Sequence, residues 1–485
     1  MYRKAILITF IVLVAASAIF ALIDRKKVTT SSDKAYAAYL RGEEYSKKLY
    51  TAEAISEYER AVQLDPQFAM AYSRLGWLYM ESGRDDEYKQ ARAKAFEFIV
   101  KVKDLERIQI NLGFARADKN SDDIDNYFNE LVEKFPNTLE AHELLAGKYW
   151  GEKNTDKAIE ENLKVLEIDP QYALAYNMLG YLYYNKGEFD KALESINSYS
   201  EIAIDQANPH DSHGEILLWL GRYDEALRQF QIADSIKPNL DFVIGHMGQA
   251  YFSKGMYRDA LGALFKAREI ALSKGRKIDF ELGIADCYIF SDRFDEAVGF
   301  LGEISESHPE APSPHLRLGL VYAWQNQMDR ALIELGIIKG ISAKKEGNSK
   351  SDTTANSHVA HEISILEAEI AAARGDYEKA VELFKGIMEE LERASRPFAF
   401  HRIGEILIKA QRPDDAIEIL TEALKNNPNH PFTLITLAKA YGVSGQDEAK
   451  SEVLRRLLTV YKDSDDDFPP YKKALIEFEK LRQIS

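Results

Sequence analysis

A 34-residue period constrains this chain more than any other feature of its 485 residues. Counting from Ala35, the residues Gly42, Tyr45, Ala54, Tyr58, Ala61 and Pro66 fall at offsets 8, 11, 20, 24, 27 and 32 of a unit. Several of these offsets, joined by 4 and 7, return as Leu145, Ala146, Tyr149, Ala158 and Pro170 in a unit from Leu139, and as Tyr176, Leu179, Gly180, Tyr183 and Ala192 in one from Ala173. Gly214, Ala226, Phe230, Ala233 and Pro238 follow, then Gly248, Tyr251, Ala260 and Ala267. Ala285, Tyr288, Ala297, Leu301 and Pro309 continue the series, with Leu318, Gly319, Tyr322 and Ala331, and at the end Gly404, Ala416, Leu420, Ala423 and Pro428. A unit of this length cannot bury its apolar face alone, so such units must stack on their neighbours.

Each offset has a physical reason. A small residue at 8 lets two helices of a hairpin cross closely, and another at 20 seats the second helix on the first. Tyr or Leu at 11, and an aromatic or aliphatic residue at 24, fill the space between neighbouring units. Proline at 32 falls after the second helix, where its missing N–H ends helical hydrogen bonding. Turn signals stand between the two helices in the same register: Gly187-Glu188-Phe189-Asp190, Gly221-Arg222-Tyr223-Asp224 and Gly375-Asp376-Tyr377-Glu378.

These residues resemble the tetratricopeptide repeat family at every offset used above. The resemblance covers Ala35 to about Tyr461 and implies an all-α fold of about twelve helix-turn-helix units, stacked as a right-handed superhelical solenoid. Several units are degenerate. The unit from Ala69 carries Tyr72, Leu75, Gly76 and Tyr79, but a short insertion is expected before Ala91, displacing its second helix. The unit ending at Pro136 has Ile124 where alanine is expected, and the last full unit lacks the proline. The polar stretch 342–357 (SAKKEGNSKSDTTANS) lacks apolar periodicity and reads as a flexible linker. It would separate about nine units over 35–341 from about three over 358–462. Residues 463–485 read as an acidic turn, Asp463 to Asp467 before Pro469-Pro470, and an amphipathic capping helix with a polar outer face.

In that family the first helix of each unit lines a groove, with offsets 2, 5, 9 and 12 pointing into it. On this sequence those offsets give Trp77, Met80, Trp150, Asn177, Tyr181, Tyr184, Asp211 and Glu215, then Phe242, Gln249, Phe252, Asp279 and Asp286. An aromatic band with acidic neighbours suits an extended or helical peptide, so other proteins or peptides are the expected partners. Some family members clamp chaperone C-termini with Lys at offset 5 and Asn at 9. Here those offsets hold Tyr39 and Glu43, Asn177 and Tyr181, or Asp211 and Glu215, so the resemblance does not extend to that clamp. The opening run is also loosely similar to repeat tails of bacterial signalling proteins, which makes a regulatory or sensory subunit the alternative to an adaptor.

The first 34 residues differ in kind. Ala5 to Ile23 carries no charge over 19 residues, enough for a helix of roughly 28 Å at about 1.5 Å per residue. Arg3 and Lys4 precede it, and Arg25, Lys26 and Lys27 follow. The expected reading is an uncleaved transmembrane anchor, with the array exported across an inner or plasma membrane. Ala16-Ser17-Ala18 also fits a signal-peptide cleavage site, which would make the protein secreted.

Motifs for chemistry fail at specific positions. A net charge of −16 argues against nucleic-acid phosphates as partners. Gly147-Lys148 lacks the other residues of a phosphate loop, and no dinucleotide fingerprint occurs, so no cofactor or small-molecule substrate is implied. His358-x-x-His361-Glu362 has the wrong spacing for zinc, and His210 and His213 fall on a repeat helix as packing or capping residues. Asp463-x-Asp465-x-Asp467 and Asp118-x-Asn120-x-Asp122 imitate calcium loops but miss the turn glycine and the last carboxylate, and read as solvated turns. Cys287, the single cysteine, sits inside a repeat helix as a buried thiol. Repeats, anchor and cap leave no stretch of domain size for a catalytic domain, so the expectation is a scaffold and not an enzyme.

Overall fold

Twelve helical hairpins and one closing helix account for the regular structure of the described residues, which are 27–348, 353–390, 393 and 396–484 of a computed structural model. The apolar span 5–23 lies outside them. Among the described residues no helix is long and apolar enough to cross a membrane.

Two compact units divide between Ala141 and His142, in the first turn of the Leu139–Gly151 helix. The first unit holds the hairpins Asp33–Lys47/Thr51–Leu64, Ala69–Glu81/Asp85–Phe98 and Asp104–Ala117/Ser121–Lys134. The second continues through hairpins whose first helices begin at Leu139, Ala173, Ala207, Asp241, Lys274, Pro312, Thr353, Arg396 and Pro431, and ends in the Pro469–Ile484 helix.

Close crossing within a hairpin follows from the small residue at offset 8. A Cβ on Gly42 would stand 2.5 Å from the Tyr58 ring, and one on Gly214 would stand 2.5 Å from Phe230. Both rings are fully buried, so the glycines are what allow the helices to meet. In the first unit Tyr39, Tyr58 and Phe68 form the centre of the core, with the Tyr39 ring 5.6 Å from Tyr58 and 5.1 Å from Phe68.

The turn inside each hairpin is more regular than its sequence. Every one of the twelve holds one residue at positive φ: Gly83, Gly187, Gly221, Gly255, Gly375 and Gly445 in six, and Leu49, Lys119, Lys153, Asp292, Asn326 and Gln411 in the others. A left-handed residue ends the first helix and re-aims the chain for the second. Glycine tolerates that conformation best, yet half the turns impose it on residues with a Cβ, because helix packing on either side fixes the path.

Three sequence expectations change. The helix Asp85–Phe98 begins at offset 17 like its counterpart Thr51–Leu64, so no insertion precedes it; the extra residues follow, in a 3-10 turn at Ile99–Lys101. Ala91 takes the place expected three residues earlier because it lies one helical turn along the same buried face. The stretch 342–357, expected as a flexible linker, is helical to Asn348 and again from Thr353. Alanine, lysine and glutamate at 343–346 favour helix strongly enough to extend it past its packed portion. Residues 27–32, expected as part of a linker, are pinned to the first unit. Val28 is buried, Thr29 donates to Glu106 through its N–H (2.8 Å) and hydroxyl (2.7 Å), and Ser31 N–H donates to Asp65 at 2.9 Å.

In the second unit the run of hairpins curves until the chain meets itself. Arg393 Nε donates to Asn185 O at 3.1 Å, Asn429 Nδ2 to Gly221 O at 3.0 Å, and Lys254 Nζ to Asp463 at 2.8 Å. These partners are 208, 208 and 209 residues apart, or about six periods of the sequence repeat. The inner turns of the hairpins at 187, 221 and 255 thus face the later hairpins, and their glycines have no room for a Cβ: Asn427 Oδ1 would be 2.2 Å away at Gly221.

Candidate interaction surface

Within each unit the first helices of neighbouring hairpins lie side by side, so residues one period apart become neighbours. This has a consequence for the acidic groove expected from sequence. Asp211 is met by His246 Nδ1 at 2.9 Å, Asp286 by Arg317 Nε at 3.0 Å, and Glu215 by Tyr181 Oη, which donates to it at 2.7 Å. The same rule pairs Glu43 with Arg74 (2.8 Å), Asp241 with Arg276 (2.9 Å) and Glu405 with Lys439 (2.9 Å). Asp211, Glu215 and Asp286 are therefore internal rungs of a ladder between neighbouring hairpins. The sequence signal existed, as an acid in one unit and a cation or donor 31 to 35 residues away in the next or the preceding one. Only adjacency of the helices gives it meaning.

The aromatic candidates divide. Trp150 and Tyr181 stand edge to face at 6.4 Å, Tyr181 lies 5.7 Å from Trp219, and Trp219 lies 4.9 Å from Tyr184. These rings run across three successive first helices, and Trp219 was not among the residues picked from sequence. Asn177, one turn before Tyr181, has a buried Oδ1 with no hydrogen-bond partner among the described residues. Tyr184 and Asp211 are buried, which removes them from the surface. Trp77, in the first unit, and Gln249, in the second, are exposed, and Phe242 is half-buried.

Phe252 has a different fate. Its ring stacks on Tyr257 at 5.1 Å and is met by Phe290 at 5.7 Å and by Phe432 at 5.8 Å. Phe432 comes from the Pro431–Val443 helix, so the chain itself covers this part of the face. Beside it lies a cavity of about 400 Å³ between Phe290, Trp324, His401, Arg402, Phe432 and Lys473. Two of its cations are already matched, Arg402 by Glu369 and Glu405 and Lys473 by Asp292. Such a cavity offers aromatic surface to an apolar group.

Several of the remaining sequence candidates have structural partners. Asp118 binds Arg92 through both oxygens at 2.5 Å, and Asn120 caps the Ser121–Lys134 helix. His210 Nδ1 meets Gln229 at 2.8 Å. Burial pushes the Cys287 thiol well above its ordinary value, the opposite of what a nucleophile needs. Among the described residues no group of three His, Cys, Asp or Glu could hold a metal ion.

Buried histidines make this region sensitive to acid. Burial presses His401, whose Nδ1 lies 2.7 Å from Thr436, down to about 4, and His430 down to about 3. An unfolded histidine titrates near 6.5, so the stability these rings contribute is complete above about 6.5 and is lost as pH falls toward their folded values. His246 is the reverse case. Burial lowers it, but Asp211 and Glu215 more than offset that and raise it to about 9, so its contribution is complete below 6.5 and fades as pH rises through 9. Urea midpoints at pH 7.5 and pH 5.0 should show a loss in acid of about 2 kcal/mol from His401, and His401→Gln should remove that part of the difference.

Hairpins that cross over small residues, one left-handed residue in each inner turn and contacts repeating every period define a helical-repeat protein. Residues 35–68, 162–194 and 398–430 each match a tetratricopeptide repeat family. These matches, with the repeating hairpins, mark tetratricopeptide repeats within the chain. A TPR repeat-containing protein of Methanocaldococcus jannaschii is 25% identical over 224 residues, 44% of this chain and 37% of that protein. The aligned region thus spans little more than a third of that relative's length. Among solved structures, similarity extends to the APC/C hetero-tetramer Cut9–Hcn1 (TM-score 0.42, 15% identity, 91% of this chain and 76% of that one). It extends also to yeast Tom70 (TM-score 0.40, 16% identity, 88% and 98%).

Proposed function

We propose that this protein is a membrane-tethered scaffold that binds a peptide segment of a partner along the first helices at Leu139–Gly151, Ala173–Lys186 and Ala207–Trp219. The observation that carries the reading is the row Trp150, Tyr181 and Trp219 beside Asn177, whose buried oxygen lacks a partner among the described residues. Aromatic rings supply much of the binding energy at interfaces, and an unmatched buried acceptor is costly until a donor such as a peptide N–H reaches it. Capture of partners on the immobilised chain, followed by titration, tests this. Trp150→Ala should weaken binding by about 2 kcal/mol, or about 30-fold, with Asn177→Ala having a smaller effect in the same direction. Binding unchanged in both variants would remove this surface from the partner interface.

The tether rests on the uncharged span 5–23 and its basic flanks. In this reading it is a single-pass anchor, with the array exported. Extraction of membranes at alkaline pH together with a reporter fused after Ser485 tests both parts. A protein released without its first 18 residues would instead be secreted, and a reporter active only in the cytoplasm would reverse the orientation.

A further inference from the structure

The acidic turn 463–468 imitates a calcium loop in sequence, but in the structure it behaves as a bound ligand. Asp463 accepts from Lys254 Nζ at 2.8 Å, and Lys254 is itself buried and shared with Asp224 at 2.5 Å. Asp465 makes a two-way backbone contact. Its N–H donates to Gly255 O at 3.2 Å, and its carboxylate accepts from Arg258 N–H at 3.0 Å, in the first turn of the Tyr257–Ile270 helix. Asp467 pairs with Arg258 Nη2 at 2.7 Å. Phe468 is buried, with its ring 4.5 Å from Tyr257 and 5.1 Å from Tyr461, over a glycine where a Cβ would stand 2.6 Å away. Two cations, a helix N-terminus, a backbone acceptor and an aromatic slot therefore converge on six consecutive residues of the same chain.

We propose that the inner turn at 254–258 is a recognition site for an acidic segment ending in phenylalanine, occupied here by the chain's own residues 463–468. A partner protein bearing such a segment displaces the resident one. Displacement frees the closing hairpins and uncovers Phe252 and Phe290 beneath Phe432. This site is separate from the Trp150 row and stands or falls independently of it. The chemistry of the occupant is read from the resident segment: carboxylates at alternate positions reach the cations and the helix N-terminus, whose partial positive charge favours anions. Exchange is feasible because the outer pair, Arg258 with Asp467, is about 69% exposed on both sides and so contributes little, leaving Lys254 and the Phe468 slot as the main holds. A resident segment acts at an effective concentration of order millimolar, so an external peptide competes poorly until the resident one is weakened.

The test uses the full chain and a fluorescent peptide with the sequence of residues 462–470, read by anisotropy. A variant carrying Asp463→Asn, Asp465→Asn, Asp467→Asn and Phe468→Ala should bind the peptide at least tenfold more tightly than the unaltered chain. Adding Arg258→Glu and Lys254→Glu to that variant should abolish binding, whereas Trp150→Ala should leave it unchanged. Should the four-residue variant lose its helical circular dichroism, the milder Asp463→Asn, Phe468→Leu pair, which weakens both main holds, is read in the same way. A folded variant that binds no more tightly than the unaltered chain, or whose binding survives both charge reversals, overturns the proposal. Self-association of the unaltered chain that the peptide dissolves would make a second copy the occupant and overturn the partner reading.

Discussion

Glu369→Ala is expected to destabilise the later hairpins of the second unit by about 3–5 kcal/mol, the usual cost of leaving a buried charge without its partner. Glu369 and Arg402 are almost wholly buried, with side chains 1% and 7% exposed. Glu369 accepts from Arg402 Nε at 2.5 Å and Nη2 at 2.7 Å, and from Trp324 Nε1 at 2.9 Å. Removing the carboxylate takes two of the guanidinium's bonds, leaving only Glu405 on Nη1, and orphans an indole N–H. With Trp77, Trp150 and Trp219 replaced by phenylalanine, the fluorescence of Trp324 follows these hairpins rather than the whole chain, which matters because stacked repeats need not unfold in one step. A urea midpoint that moves no further than for Asp467→Ala, at an exposed pair, would refute the expectation. The double replacement Glu369→Leu, Arg402→Met should cost less than Glu369→Ala, because it removes both desolvated charges of the pair and Glu405 keeps Lys439, although the Trp324 N–H still loses its acceptor.

One substitution, glycine to alanine, is expected to change sign along this chain. At Gly42 and Gly214 a methyl group would press on the buried rings of Tyr58 and Phe230 at 2.5 Å. Tyr58 cannot retreat without losing its hydroxyl's bond to Glu43 at 2.5 Å. Overpacking of this kind costs about 1–3 kcal/mol and outweighs the better helix propensity of alanine. At Gly299, Gly302 and Gly336 nothing lies within 4 Å of the new methyl group. There alanine should stabilise by about 0.5–1 kcal/mol each through reduced freedom of the unfolded chain. Thermal or urea unfolding of the five single variants checks this, and destabilisation at the second group would mean that those helix faces are covered.

The sequence by itself determined the unit of construction. A small residue every 34 positions, with an aromatic or aliphatic residue sixteen further on, has one efficient use: a hairpin whose helices cross closely and stack on the next. That information is local, carried by spacing within a unit, and so Gly42 with Tyr58 and Gly214 with Phe230 could be read directly. The position of the inner turns was legible for the same reason, at Gly187, Gly221 and Gly375. Turns at Leu49, Lys153 and Gln411 were not, because there packing of the flanking helices imposes a left-handed residue without the composition that usually announces one.

What only the tertiary structure decided depends on small rotations added over many units. The sequence placed Asp211, Glu215 and Asp286 on the groove face, but whether they stand free is settled by the neighbouring helix, which brings His246, Tyr181 and Arg317 to them. It placed Phe252 there too, yet the curvature of the second unit returns Phe432 to cover that ring. Asp463 to Phe468 looked like a solvated turn because its partners, Lys254 to Arg258, lie about six periods earlier. No residue in a unit encodes that meeting: it follows from the angle between adjacent hairpins, set by all their side-chain contacts together and repeated until the chain reaches itself.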